Sequence, residues 1–189
     1  MARPVILDRD GTIVVDHGYL ADPQQLRFLP GAAQGLRLLH GGGHPLIVVS
    51  NQSGVGRGLF TLEQLQRVHQ RFAAMLKDSG VPLAGLYFCP HRPDAGCDCR
   101  KPNTALLRQA AAEVGFAPAD AVVIGDKSSD VELGRRVGAT TILVSADPVP
   151  SDGQLARPDY TVPNLIEAAQ IIDRLSDSAA PGAATGRGA

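Results

Sequence analysis
The sequence predicts an α/β protein with a doubly wound, Rossmann-like parallel sheet, and three observations carry that reading. Short β-branched apolar runs alternate with amphipathic helical patterns along most of the chain. The runs are continuous rather than alternating, as strands buried on both faces require. The chain has 189 residues, the size of a single domain of about 100 to 200 residues.

The first strand is expected at Pro4 to Leu7, followed by a helix over Ala32 to Leu39 and a second strand at Leu46 to Val49. Leu62, Leu65, Val68, Phe72 and Leu76 recur at helical spacing behind the capping box Thr61-Leu62-Glu63-Gln64. Further strands at Leu86 to Phe88, Ala121 to Ile124 and Thr141 to Val144 alternate with helices over Thr104 to Val114, Ser129 to Val137 and Leu165 to Leu175. Gly41 to Gly43, Gly115 and Gly138 follow three of these helices, where a left-handed residue closes the last turn. Two long stretches break the alternation, Asp8 to Pro30 and the cysteine-bearing Cys89 to Pro102, and loops of that length in a compact domain are usually functional. The tail Ser176 to Ala189, rich in Ser, Ala, Gly and Pro, cannot bury enough surface to offset its ordering entropy and is expected to be disordered. Residues 1–175 remain as one folded domain.

Composition excludes several function classes. Apolar residues make up 44% and charged residues 20%, so a real core can form. Lys plus Arg (18) and Asp plus Glu (19) nearly cancel, which leaves no basic field to hold nucleic acid or an anionic membrane. No apolar run approaches the roughly 20 residues of a membrane helix, and the N-terminus lacks a signal peptide's basic and apolar regions. The expectation is a soluble, cytoplasmic monomer whose partner is a small molecule. The three cysteines Cys89, Cys97 and Cys99 lie within eleven positions, an odd number in a chain without an export signal, which favours metal ligation over disulfides.

The chemistry is expected where parallel sheets present their ligands, at the carboxyl ends of the strands. The first strand ends in Asp8-Arg9-Asp10-Gly11-Thr12, and two carboxylates two residues apart are costly to hold together without a cation. The second ends in Ser50-Asn51-Gln52-Ser53-Gly54, and the fourth in Gly125-Asp126-Lys127-Ser128-Ser129-Asp130. Arg100-Lys101-Pro102 places two cations just before a helix. Each cluster alone could be a polar turn, a helix cap or surface charge. Together they supply acids for a divalent cation, cations and a hydroxyl for a phosphate, and a spare carboxylate, the parts phosphoryl transfer requires.

This ordered set, spanning Val5 to Asp130, resembles the haloacid dehalogenase-like superfamily of phosphohydrolases. The resemblance implies that Asp8 is the nucleophile, forming an aspartyl phosphate, and that Asp10 is the acid–base, oriented by the Thr12 hydroxyl. It implies Mg²⁺ held by Asp8, the Asp10 carbonyl and Asp126, with Asp130 supporting from behind and Ser50 and Lys101 on the phosphoryl oxygens. A receiver-like signalling domain also uses a phosphorylated Asp and Mg²⁺, but would carry that Asp on its third strand. A silent phosphate-binding module would not need both Asp8 and Asp10.

Cys89-Pro90-His91 with Cys97-Asp98-Cys99 supplies three thiolates and one imidazole, a set suited to a closed, structural Zn²⁺ site that staples the loop ending at Arg100 and Lys101. These residues resemble the branch containing D-glycero-D-manno-heptose 1,7-bisphosphate 7-phosphatases and histidinol-phosphate phosphatases, which lack a large cap domain. Val15 to Tyr19, Asn51 to Gly58 and Gly125 to Lys127 are more similar to the heptose enzymes. That similarity implies a single phosphatase domain removing the C7 phosphate of heptose 1,7-bisphosphate, with histidinol phosphate or another small phosphomonoester as the alternative. Thr12, Ser50, Asn51, Gln52, Arg57, Arg100 and Lys127 are the expected substrate contacts, the three cations suiting a second phosphate.

Overall fold
A computed structural model of the protein describes residues 2–146 and 157–178. Within these residues six strands form one sheet: β1 (Val5–Leu7), β2 (Leu46–Asn51), β3 (Gly85–Cys89), β4 (Val122–Gly125), β5 (Thr140–Val144) and β6 (Tyr160–Val162). All neighbouring pairs are parallel, in the order β3-β2-β1-β4-β5-β6. The chain therefore begins in the middle, winds outward to β3, then returns to β4 beside β1 and winds the other way. The strand order reverses between β1 and β4, and that is where such a sheet opens a crevice at its carboxyl edge.

Among the described residues five helices cover the sheet: α1 (Ala32–Gly41), α2 (Leu62–Asp78), α3 (Ala105–Val114), α4 (Ser128–Val137) and α5 (Leu165–Ser178). Successive strand residues divide between the two faces. Val5, Leu7, Leu46 and Val48 pack with Leu36, Phe72 and Ile172 of α1, α2 and α5, whereas Ile6, Ile47 and Val49 pack with Leu107 and Leu133 of α3 and α4. This two-sided burial is why the strands read as unbroken apolar runs. The capping box of α2 forms as expected, Thr61 and Gln64 exchanging side-chain and backbone bonds of 3.1 and 2.7 Å.

The structure departs from the sequence reading at the edges. β6 has only three residues, two of them exposed, so it carries no buried apolar run to mark it. Short 3₁₀ turns at Pro23–Gln25 and Pro118–Asp120 were likewise without a periodic signal. The helix α5 runs to Ser178, past the expected start of the tail at Ser176, and residues 179–189 lie outside the described residues. The long segment after β1 is anchored rather than free: Ile13, Val14, Leu20 and Leu26 are buried in the core, and Val14 bridges both Asp10 and Phe28. Among the described residues no helix is long and apolar enough to cross a membrane.

Candidate active site
A cavity of about 300 Å³ opens at the β1/β4 reversal, and Asp8, Asp10, Ser50, Asn51, Gln52, Arg100, Lys101 and Lys127 all line it. Asp8 leaves β1 with its backbone N–H still donating to the Ile124 carbonyl at 2.9 Å, which ties the two central strands together at the floor. Lys101 is buried there, its Nζ 2.8 Å from Asp8 Oδ1, 2.7 Å from Asp130 Oδ1 and 2.7 Å from the Val49 carbonyl. Burial alone would lower the proton affinity of this ammonium, but Asp130 and Asp8 overcome it and raise it above the ordinary lysine value. All three of its N–H bonds are therefore occupied, and a phosphoryl oxygen reaching Lys101 has to replace one of these partners.

The acids are set by backbone as much as by charge. The Asp126 carboxylate lies against Gly11, where a Cβ would come within 2.3 Å of it, and Gly11 itself turns at φ +85°, so the position excludes a side chain twice over. Burial and repulsion from Asp8 push Asp126 up to about 6. Asp130 is raised by burial against the pull of Lys101, and its second oxygen accepts the Lys127 N–H at 3.1 Å, closing the first turn of α4. Oxygens of Asp8, Asp126 and Asp130 lie within 4.8 Å of one another, a hard all-oxygen set that fits Mg²⁺. Since Lys101 and the Lys127 amide already engage both Asp130 oxygens, Asp8 and Asp126 are the freer ligands.

Asp10 sits beside this floor, gripped by two partners that the sequence reading did not assign to it. Arg9 donates through Nε to Asp10 Oδ1 at 3.0 Å and through Nη2 to Oδ2 at 2.7 Å, while Gln52 Nε2 donates to Oδ2 at 2.8 Å. Sequence reasoning passed over Arg9 as the spacer between two acids. A cation at the end of a strand buried on both faces was the available signal, because it has to find a buried anion. Nearby, His69 packs edge-on to Phe88, and burial followed by the Arg9 charge lowers it to about 4, so its ring is neutral.

Four expected contacts have protein partners or positions that the sequence does not show. The Thr12 hydroxyl reaches Asp126 Oδ1 at 3.2 Å rather than Asp10, and Thr12 does not line the cavity, because Gly11 turns the chain toward β4. The Asn51 amide clamps both the N–H and the carbonyl of Lys101, at 3.0 and 3.2 Å, so it holds the cationic loop instead of pointing its amide at a ligand. Gln52 is engaged with Arg9, Asp10 and Ser50. Arg57 is exposed on the Ser53–Gly58 turn and lies outside the cavity lining. Arg100 and Lys127 do face the cavity. Arg100 Nη1 is buried without a partner among the described residues, and Lys127 bonds Asp16 at 3.0 Å across the mouth. Tyr19 also lines the mouth, 47% exposed.

Behind this rim the cysteine loop folds into the expected cluster. Cys89 Sγ lies 3.6 Å from Cys97 Sγ, 3.0 Å from Cys99 Sγ and 3.6 Å from His91 Nδ1, which is itself 3.1 Å from Cys99. A zinc ion with Zn–S bonds of about 2.3 Å needs ligand separations of about 3.5 to 3.8 Å, so this set fits with a small outward relaxation. Burial and the contact with Cys99 push the Cys89 thiol up to about 12, and a dication among the thiolates reverses that penalty. Gln52 N–H donates to the Cys89 carbonyl at 2.7 Å and Gly56 N–H to the Pro90 carbonyl at 2.8 Å, which fastens the loop to the β2 edge.

Known proteins similar to the chain agree with this geometry. The HAD-hydrolase-like family model matches residues 98–168. The chain is 33% identical to the D-glycero-beta-D-manno-heptose-1,7-bisphosphate 7-phosphatase of Pasteurella multocida, over 93% of this chain and 99% of that one. It is 36% identical to the enzyme of the same name from Yersinia pestis, over 89% of this chain and 94% of the relative. Among solved structures, the D,D-heptose 1,7-bisphosphate phosphatase of B. bronchiseptica, complexed with magnesium and phosphate, superposes with a TM-score of 0.83 at 28% identity, covering 92% of this chain and 99% of that one.

Proposed function
The chain belongs to the heptose 1,7-bisphosphate 7-phosphatase family of haloacid dehalogenase-like hydrolases, and from that premise we propose that it removes the C7 phosphate of D-glycero-D-manno-heptose 1,7-bisphosphate. It is a phosphoric monoester hydrolase. The observation that carries the assignment of roles is the buried Lys101 ammonium between Asp8 and Asp130 at the floor of a cavity whose rim holds Arg100 and Lys127.

Asp8 attacks phosphorus with a carboxylate oxygen, and the bond from phosphorus to the C7 oxygen breaks. Asp10 gives its proton to that departing oxygen. Asp10 then takes a proton from the water that attacks the aspartyl phosphate, releasing inorganic phosphate and restoring Asp8. Lys101, 2.8 Å from Asp8, lessens the repulsion between that carboxylate and an anionic substrate. Asp8, the Asp10 carbonyl and Asp126 would hold Mg²⁺, which supplies charge neutralisation between the nucleophile and the phosphoryl oxygens. Cys89, His91, Cys97 and Cys99 would hold a structural Zn²⁺ that keeps Arg100 and Lys101 in place. The free Arg100 Nη1 and the exposed Lys127 ammonium suit the second phosphate, which remains on the product.

Steady-state kinetics on both anomers of the heptose bisphosphate and on histidinol phosphate tests the reading. The beta anomer, named in the relatives, is expected to have the highest kcat/KM, and Asp8→Asn is expected to abolish turnover in folded protein. Histidinol phosphate as the better substrate would remove the heptose assignment, and parental rates in Asp8→Asn would remove the nucleophile.

A further inference from the structure
We infer that Arg9 is a positioning residue that, directly and together with Gln52, sets the Asp10 carboxylate for proton transfer to the leaving group. The inference rests on the phosphatase reading above. Arg9 is 1% exposed and does not line the cavity, so it cannot meet a substrate. A guanidinium in so dry a place is costly unless its charge is paired, and since Nη1 has no hydrogen-bond partner among the described residues, the pairing falls on Nε and Nη2. Two of its nitrogens form a side-on fork on Asp10, which fixes both the position and the rotation of that carboxylate.

The remaining geometry follows from donor and acceptor rules. Arg9 only donates, so the Gln52 oxygen must face it, at 3.1 Å from Nη2. The Gln52 nitrogen must then face the acceptors, and it lies 2.8 Å from Asp10 Oδ2 and 2.7 Å from Ser50 Oγ. A flipped amide would set donor against donor at Arg9 and acceptor against acceptor at Asp10. One buried cation thus aims the acid–base from behind the site.

The test exploits the leaving group. A primary alkoxide needs the Asp10 proton to depart, whereas nitrophenolate does not, and kcat/KM reports only the steps up to departure. Heptose bisphosphate, or histidinol phosphate should the first not be hydrolysed, is compared with p-nitrophenyl phosphate for Arg9→Met, Arg9→Lys and Gln52→Met, each alone and combined with Asp10→Asn. Arg9→Met is expected to lower kcat/KM on the alkyl phosphate roughly 30- to 100-fold and on the aryl phosphate less than about threefold, since misplacing a general acid forfeits much of its contribution. Arg9→Lys should not rescue, because one ammonium cannot replace the fork. In the Asp10→Asn background, each variant should add less than about twofold. Melting curves check the fold. If Arg9→Met fails to fold, Arg9→Lys and Gln52→Met decide, with the same selective loss expected. Equal losses on both esters, undiminished losses in the Asp10→Asn background, or parental rates throughout would overturn the role. Loss of heptose preference with the selective effect intact would remove only the substrate assignment. A parental protein that hydrolyses neither alkyl ester would remove both.

Discussion

The floor and the rim of the cavity use the same kind of contact in different media. Lys101 meets Asp8 and Asp130 at 2.8 and 2.7 Å with 3% of its side chain exposed, while Lys127 meets Asp16 at 3.0 Å with 51% exposed. Bond lengths barely distinguish them. Their energetics differ, because charges removed from water interact strongly and cannot be left unpaired, whereas exposed ones are screened and exchange partners with little cost. The floor can therefore hold a nucleophile in one geometry through many turnovers. The rim can release Asp16 and turn Lys127 to a substrate phosphate, which suits selectivity rather than bond making.

If that contrast is right, the largest effect of substitution lies at the floor. Lys101→Met should lower kcat by about 100- to 1000-fold. It should also destabilise the fold by about 3 to 5 kcal/mol, since it strands Asp8 and Asp130 together in a dry site. Stopped-time phosphate release and denaturant melts measure the two effects, and loss of activity without loss of stability would contradict the buried-pair account.

Next comes the loop that joins floor to rim. Dialysed, tag-free protein should carry about one zinc per chain. Cys99→Ser should lower the melting temperature by roughly 10 °C, at about 2 to 4 °C per kcal/mol for a domain of this size. Zinc content by elemental analysis, measured alongside the melt, separates the metal's contribution from that of the side chain.

The floor should also show a pH signature. Asp126 ionises at about 6 in the folded chain without metal, against 3.8 ordinarily. Its contribution to stability is therefore full below the unfolded value and is lost as pH rises through about 6. Magnesium favours the ionised form, so the rise in melting temperature on adding magnesium should be larger at pH 7 than at pH 5. An equal rise at both pH values would argue against Asp126 as a ligand.

The rim should respond least, and selectively. Arg100→Ala is expected to cost the bisphosphate roughly ten- to hundredfold in kcat/KM and a small monophosphate much less, as loss of a charged hydrogen bond predicts. Asp16→Asn, which removes only a half-exposed pair, should change kcat/KM by no more than about fivefold in either direction. A larger effect of Asp16→Asn than of Arg100→Ala would reverse the assignment of the two groups at the mouth.

Much of this was legible in the sequence. The alternating apolar runs and helices specified the sheet and its two covered faces, since period and residue type are local properties. The acids, the Ser and the Lys announced themselves at strand ends, and the cysteine–histidine spacing announced a metal loop. The sequence could not show which of these groups touch. Thr12 meets Asp126 across 114 positions, Asn51 clamps Lys101 across 50, and Gln52 reaches Arg9 across 43. Such partners are chosen by strand order and by the direction in which each loop leaves the sheet, and a hydroxyl or amide is neutral about its role until its neighbours are either donors or acceptors. That is why the sequence could read Thr12, Asn51 and Gln52 as substrate contacts but not name Asp126, Lys101 and Arg9 as the groups they touch. Arg9, a spacer between two acids in the sequence, pairs with its neighbour Asp10, but Gln52 joins that pair only because β1 and β2 lie side by side.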